Sequence, residues 1–123
     1  MSVEHPLIDM SYILDISGGD PMYMYDITGI FLDTMQGGLP KLKQLIDSNE
    51  DFEKIHKQAH YLKSSAGIIK IRNNYDNLIR IDTLAQQKTN MDEIIELFDS
   101  IVANFEEALP QLNEIREKNK PVE

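Results

Sequence analysis

The chain has 123 residues, of which 41% are hydrophobic and 27% charged, as in an ordinary soluble globular protein. Its formal net charge of −9 argues against nucleic acid as a partner, because a polyanion would be repelled. It contains no cysteine, no apolar run near the roughly 20 residues that a membrane span requires, and no visible signal peptide. We therefore expect a cytoplasmic protein that binds no membrane. The length predicts one domain over residues 1–123, with a core at about residues 8–116 and a charged C-terminal tail.

Turn and capping signals divide the first half of the chain into helical stretches, and nothing in it resembles a strand. A short first helix is predicted over residues 8–16, ending at Ser17-Gly18-Gly19. Asp20-Pro21 has the usual order of a helix entry, an N-cap followed by proline at the first helical position. Apolar residues then repeat at helical spacing, and the glycines and proline at residues 37–40 predict a kink or break.

Three more helices are predicted in the second half. Ser48 or Asn49 is expected to cap the third, which runs to about residue 69, and the fourth is expected to include Ile71 and end at Gln87. Thr89-Asn90 is expected to cap the last helix. That helix has a regular apolar seam: Met91, Ile94, Phe98, Ile101, Phe105, Ala108, Leu112 and Ile115.

These elements predict an all-α fold, an antiparallel four-helix bundle with a short additional N-terminal helix. Pro110 is expected to bend the last helix, and the tail from about Glu117 is expected to fray. Each long helix has a polar face, so the bundle is expected to be monomeric.

A histidine in the third helix points away from the predicted core. At about 100° per residue, the apolar residues of positions 52–69 cluster on one side, and His60 lies roughly 130° from their centre. Ser64 and Gly67, one and two turns later, are short, and Lys63 is near enough to place a positive charge beside the imidazole. A mid-helix glycine costs roughly 1 kcal/mol relative to alanine, so Gly67 indicates a clearance for an approaching protein surface.

The segment His60-Tyr61-Leu62-Lys63-Ser64-Ser65-Ala66-Gly67 resembles the signature of histidine-containing phosphotransfer (HPt) domains, His-x-Leu-Lys-Gly-Ser/Ala followed by small residues. The similarity extends over roughly residues 8–112, through the short first helix and the helix that contains Phe31. The chain departs from the family pattern at Ser64 and at Lys70, two positions where glycine is common.

The resemblance implies a phosphocarrier in a multistep, two-component phosphorelay rather than an enzyme. His60 would accept a phosphoryl group from a receiver aspartyl phosphate and pass it to another receiver, and Lys63 would stabilise the charge. The implied partners are response-regulator receiver domains and a hybrid sensor histidine kinase. No ATP-binding loop is present, so the chain needs no cofactor of its own, and magnesium is expected on the receiver.

The resemblance also implies a docking patch beside the histidine and a polar neighbour for the imidazole. Asp82 is the expected neighbour. The patch is expected to be apolar and to comprise Tyr12, Ile16, Tyr23, Ile27, Tyr61, Ser64 and Gly67. Bundle core is the alternative interpretation of its members on the first two helices, and for Ile27 the two interpretations have equal weight.

Two other functions compete with the relay. One is a helical adaptor that binds receivers or helices without carrying phosphate. The other is a metal-binding bundle, because His56 and His60 are four residues apart, a spacing that can chelate a transition metal, and Glu53 lies on the same face. Two histidines at this spacing are common by chance, and we predict no metal site.

Overall fold

A computed structural model of the chain describes residues 7–48 and 51–122. In these segments five helices and two very short strands follow one another along the chain. They are β1 (Ile8–Asp9), α1 (Ser11–Ser17), α2 (Pro21–Ser48), α3 (Phe52–Ile68), β2 (Lys70–Ile71), α4 (Asn74–Gln86) and α5 (Met91–Lys118). No helix in the described segments is long and apolar enough to cross a lipid bilayer.

The four long helices form a closed ring of contacts. Helix α3 packs against α2 and α4, and α5 packs against α4 and α2, while α1 lies against α2. Short connections join α3 to α4 and α4 to α5, as in an up-and-down bundle. The predicted all-α bundle with a short additional helix is confirmed.

The apolar seams predicted from the sequence form the core. On α3, Ile55, Ala59 and Leu62 have no exposed surface, and on α5 the same holds for Ile94, Ala108 and Leu112. The rings of Phe31 and Phe105 join α2 to α5, with centroids 6.3 Å apart. These contacts fix the rotation of each helix, and with it the direction of every polar side chain on the opposite face.

The prediction that no strand is present is wrong. Ile8 pairs with Ile71 and Asp9 with Lys70 in an antiparallel ladder, so Ile8 and Ile71 lie outside the helices to which their spacing assigned them. The reason is the end of α3, where Ile69 adopts an extended conformation (φ −121°, ψ 106°) and is fully buried. The chain therefore leaves α3 as a strand whose first residue is Lys70.

Of the kink or break predicted in α2, the break is wrong, because the helix is continuous from Pro21 to Ser48, and the kink stays a prediction. The region of Gly37 and Gly38 is instead a close contact with α3. A Cβ on Gly38 would lie 2.4 Å from Leu62 Cδ2, and the amide of Gln58 donates to the Gly38 carbonyl at 3.1 Å. Packing against α3 thus stabilises the helical conformation of α2 at its two glycines.

The helix caps agree with prediction at two of three places. Asn90 caps α5 by accepting a hydrogen bond from the Glu93 backbone, and Asp20 lies directly before Pro21, accepting from the Met22 backbone. Helix α3, however, is capped by Asp51. Ser48 is the last residue of α2, and Asn49 lies outside the described residues.

Helix α5 continues through Pro110 to Lys118, two residues into the tail that was expected to fray. Its apolar seam is buried from Ile94 to Leu112 on both sides of the proline. Core packing therefore holds the helix where proline removes one backbone hydrogen bond.

Substituting alanine for each of the two neighbouring glycines of α2 should change the free energy of unfolding in opposite directions. Gly38→Ala should lower the free energy of unfolding by about 1–3 kcal/mol, because the new methyl group collides with buried Leu62. Gly37→Ala should raise it by about 0.4–1 kcal/mol, since nothing lies within 4 Å of the added Cβ. Urea unfolding of both variants tests this, and equal effects would contradict the close contact.

Candidate functional site

His60 lies on the outer face of α3, as its position relative to the apolar seam predicted. Its side chain is 62% exposed, whereas the preceding Ala59 is fully buried. An apolar cleft of about 300 Å³ between α2 and α5 is lined by Met35, Leu39, Phe98 and their neighbours, and His60 is not part of it. The imidazole is therefore open to a large partner rather than enclosed around a small molecule.

Helix α4 places a carboxylate beside this imidazole. Among the described residues Asp82 is the one buried charged residue, with 9% of its side chain exposed. Its Oδ2 lies 3.3 Å from His60 Nδ1. Its Oδ1 is in contact with His56 Nδ1 and accepts a hydrogen bond from the Gln86 amide at 3.1 Å. The predicted neighbour of the imidazole thus bridges two histidines.

The carboxylate determines which ring nitrogen of His60 carries the proton. An ionised carboxylate only accepts hydrogen bonds, so Nδ1 must carry the proton in this contact. The lone pair of the neutral ring is then on Nε2. Burial raises the pKa of Asp82, but hydrogen bonds from His56, Gln86 and His60 outweigh it and hold the pKa below its ordinary value. The group therefore stays ionised and acts as an acceptor.

Lys63 is half-buried and lies on α3 one turn after His60. Among the described residues its ammonium group makes no ion pair. Lys57, one turn before His60, is engaged instead, with its Nζ 3.9 Å from Glu53 Oε2. Lys63 therefore remains the candidate for the charge-stabilising role, which stays a prediction.

Gly67 has a neighbour within the chain itself. A Cβ at this position would lie 3.1 Å from Cε1 of Tyr75, whose ring also lies 5.1 Å from Lys70 Nζ. The glycine therefore gives room to an aromatic ring of α4. That Gly67 leaves space for a docking protein stays a prediction. Ser64, on the same face of α3, is exposed.

Exposed apolar side chains lie on α1, α2 and α3, and together they are called the apolar strip. Tyr12 and Ile16 of α1 are 51% and 43% exposed, and Tyr61, next to His60, is 58% exposed. On α2, Tyr23 is exposed, and Ile27 is half-buried against the core, between the two interpretations that the sequence left open.

Sequence reasoning missed one member of this strip. Ile30 is 59% exposed and shares a face of α2 with Tyr23 and Ile27, at spacings of four and three. One turn later Thr34 lines a shallow cleft together with Tyr61, which joins the α2 face to α3. The helical spacing of positions 23, 27, 30 and 34 could have identified this exposed face. The prediction of α2 instead followed the buried seam through the neighbouring Phe31.

The two histidines do not combine with Glu53 as a metal-binding group. Both Nδ1 atoms are directed at Asp82, and Glu53 pairs with Lys57. Within the described part of the chain, no group of three or more histidine, aspartate or glutamate side chains is arranged to hold a metal ion.

Comparison with known proteins adds a family to this geometry. Residues 26–117, well over half of the chain, match the profile of the Hpt domain. The chain therefore belongs to the Hpt domain family, and its role is that of a phosphotransfer carrier in a phosphorelay rather than an enzyme. The family predicted from the histidine motif is confirmed.

The fold is also similar to a solved structure. A histidine-containing phosphotransfer protein from maize superposes with a TM-score of 0.75 at 20% sequence identity, over 94% of this chain and 88% of the maize chain. At this identity the similarity concerns the fold alone. No curated protein has a significant match to the sequence.

Asp82→Asn should alter stability at acidic pH in a characteristic way. Because the pKa of Asp82 is lowered in the folded chain, its ionised form stabilises the fold above the unfolded value of about 3.9, and this contribution disappears as the pH falls through the lowered pKa. The free energy of unfolding should therefore be higher for the wild type than for the variant at about pH 5, and the difference should shrink as the pH falls below about 3.9. A difference that stays constant over this range, measured by urea unfolding, would contradict the assignment.

Proposed function

We propose that His60 accepts a phosphoryl group from the aspartyl phosphate of a receiver domain and passes it to the aspartate of another receiver. The observation that carries this proposal is an exposed imidazole whose Nδ1 contacts a buried carboxylate, which leaves Nε2 as an accessible nucleophile. The upstream donor would be a receiver joined to a hybrid sensor histidine kinase. The protein would act as a cytoplasmic monomer.

His60 can accept the phosphoryl group without losing a proton. The Nε2 lone pair attacks phosphorus in line as the bond between phosphorus and the receiver's carboxylate oxygen breaks, and that oxygen keeps the electron pair. A phosphorus–nitrogen bond forms, the receiver regains a free carboxylate, and the proton on Nδ1 stays in place. The imidazole ring gains a positive charge, which the ionised Asp82 is positioned to offset.

Lys63 would act on the phosphoryl group itself. Charge on the three equatorial oxygens must be neutralised during transfer, and a lysine one turn from His60 with no ion pair among the described residues suits this role. The chain has no phosphate-binding loop of its own. Magnesium and the remaining catalytic groups would therefore come from the receiver.

The apolar strip is the proposed docking surface for that receiver. Thr34 of α2 and Tyr61 of α3 line one cleft, and Tyr61 is next to His60 in the chain, so a partner seated there would lie beside the imidazole. Tyrosines, of which the strip contains Tyr12, Tyr23 and Tyr61, are among the residues that commonly anchor such interfaces. A helical adaptor without phosphate transfer would use the same strip, but it would not require Asp82 beneath His60.

His60→Gln should abolish an acid-labile, base-stable label on incubation with a phosphorylated receiver. Glutamine is uncharged and exposed at this position, so helicity and thermal stability should change little. The matched control is His5→Gln, which changes another of the three histidines and should keep the label. A label that survives in His60→Gln, or that maps to His56 in the wild type, would refute the assignment.

Lys63→Ala should slow transfer about tenfold to a hundredfold, as expected from the loss of a charge-assisted hydrogen bond of about 1.5–3 kcal/mol. Lys57→Ala is the control, because it removes the same charge three residues before His60, where the lysine pairs with Glu53. Single-turnover transfer from a phosphorylated receiver gives both rates. Equal rates in the two variants would exclude a specific role for Lys63.

Ile16→Asp should weaken receiver binding by about tenfold or more, because a charge would be buried in the docking interface. Ile95→Asp on α5 offers a close match, since Ile95 is 41% exposed and Ile16 is 43% exposed. Titration of each variant with one receiver, alongside thermal melts, compares the two surfaces. If Ile95→Asp weakens binding as strongly, the strip is not the docking surface.

A further inference from the structure

His56 takes no part in the proposed transfer step. It lies one turn before His60 on α3, and its side chain is only 25% exposed. The two imidazole rings are 6.2 Å apart between centroids and tilted by 56°, so they do not stack. What connects them is Asp82, which His56 contacts at Oδ1 and His60 at Oδ2.

The contact between Asp82 and His60 needs support. At 3.3 Å it is at the long end of the range for a hydrogen bond from nitrogen to oxygen. The side chain of His60 is 62% exposed. Among the described residues, Asp82 is the one hydrogen-bond partner of its imidazole. The orientation of the imidazole therefore depends on where the carboxylate is held.

His56 is placed to hold it. Since a carboxylate only accepts, His56 must donate from Nδ1, and this donor fixes the oxygen opposite to the one that faces His60. The Gln86 amide also donates to Oδ1, but it belongs to the same helix as Asp82, four residues on. Of the two donors to Oδ1, His56 alone ties the carboxylate to the helix that carries His60.

We propose that His56 is a positioning residue for phosphoryl transfer, which anchors Asp82 so that the proton of His60 stays on Nδ1 and Nε2 remains the attacking nitrogen. The proposal rests on the proposed function of His60. It concerns orientation and tautomer, and His56 neither accepts the phosphoryl group nor contacts the receiver's aspartate.

Two substitutions separate the hydrogen bond from the volume of the side chain. His56→Asn keeps an amide N–H near the position of Nδ1, whereas His56→Leu has similar bulk and no donor. Lys57→Leu, at an exposed neighbouring position on α3, controls for an added leucine. Thermal melts of all three variants identify any general loss of structure.

The first measurement needs no partner. Nitrogen-15 shifts of His60 in the unphosphorylated protein report which ring nitrogen carries the proton. The wild type, His56→Asn and Lys57→Leu should show a proton on Nδ1, and His56→Leu should show a population shifted towards the tautomer with the proton on Nε2.

The second measurement is single-turnover transfer from a phosphorylated receiver. His56→Leu should be slower by about twofold to tenfold, because the lost hydrogen bond is made to Asp82 and reaches His60 only indirectly, and His56→Asn should recover most of the rate. An unchanged His60 tautomer in His56→Leu, or an equal rate loss in both His56 variants, would overturn the proposal. If the wild type takes no label, the proposed function fails, and the tautomer measurement still decides whether His56 sets the state of His60.

Discussion

The packing of α3 against α4 is the contact on which the candidate site depends. The buried side chains of Ala59, Leu62 and Ala66 fix the rotation of α3, so His60 must point outwards. The same contact brings Asp82 of α4 beneath the imidazole, although it lies 22 residues further along the chain. Because one residue corresponds to about 100° of helix rotation, a shift of a single position in the α3 seam would separate the two side chains. The core packing of α3 against α4 therefore also sets the geometry of the site.

Most of the bundle could be predicted because its helices have regular apolar seams. The α5 residues from Ile94 to Leu112 repeat every three or four positions and are buried as expected. The exposure of His60 followed from the same periodicity, and Asn90 could be identified as a cap from its residue type and position. Signals of this kind are local: they depend on residues within one or two turns of each other.

The features that could not be predicted depend on partners that are distant in sequence. The pairing of Ile8 with Ile71 joins residues that helical spacing had assigned to two helices. Gly37 and Gly38 are indistinguishable as a sequence signal, yet only Gly38 meets a side chain of α3.

The relation between His56 and His60 shows the same limit. Their spacing of four residues indicated a metal site as one alternative, and it gives no sign that each imidazole is directed at a carboxylate of another helix. Asp82 was expected beside His60 from the family resemblance, but its link to His56 required the structure. The part of the site that lies within one helix could thus be predicted from spacing, whereas the contact of Asp82 with His60 was expected from the resemblance alone and its contact with His56 was not expected at all.

In the proposed reaction, a carboxylate beneath the imidazole has consequences for both directions of transfer. When His60 accepts the phosphoryl group, the ring becomes positively charged, and the ionised Asp82 lowers the energy of that state. When the group moves on, the electron pair of the phosphorus–nitrogen bond returns to Nε2. With Nδ1 still protonated, the ring then leaves as neutral imidazole rather than as an anion.

Both steps require that the proton stay on His60 rather than move to Asp82. The hydrogen bonds that lower the pKa of Asp82 make it a weaker base, and two of the three come from His56 and Gln86. By sharing the carboxylate among three donors, the structure keeps it ionised and limits its hold on any one of them. An acceptor of this kind can orient the imidazole in both of its states, which is what a reversible carrier between two receivers requires.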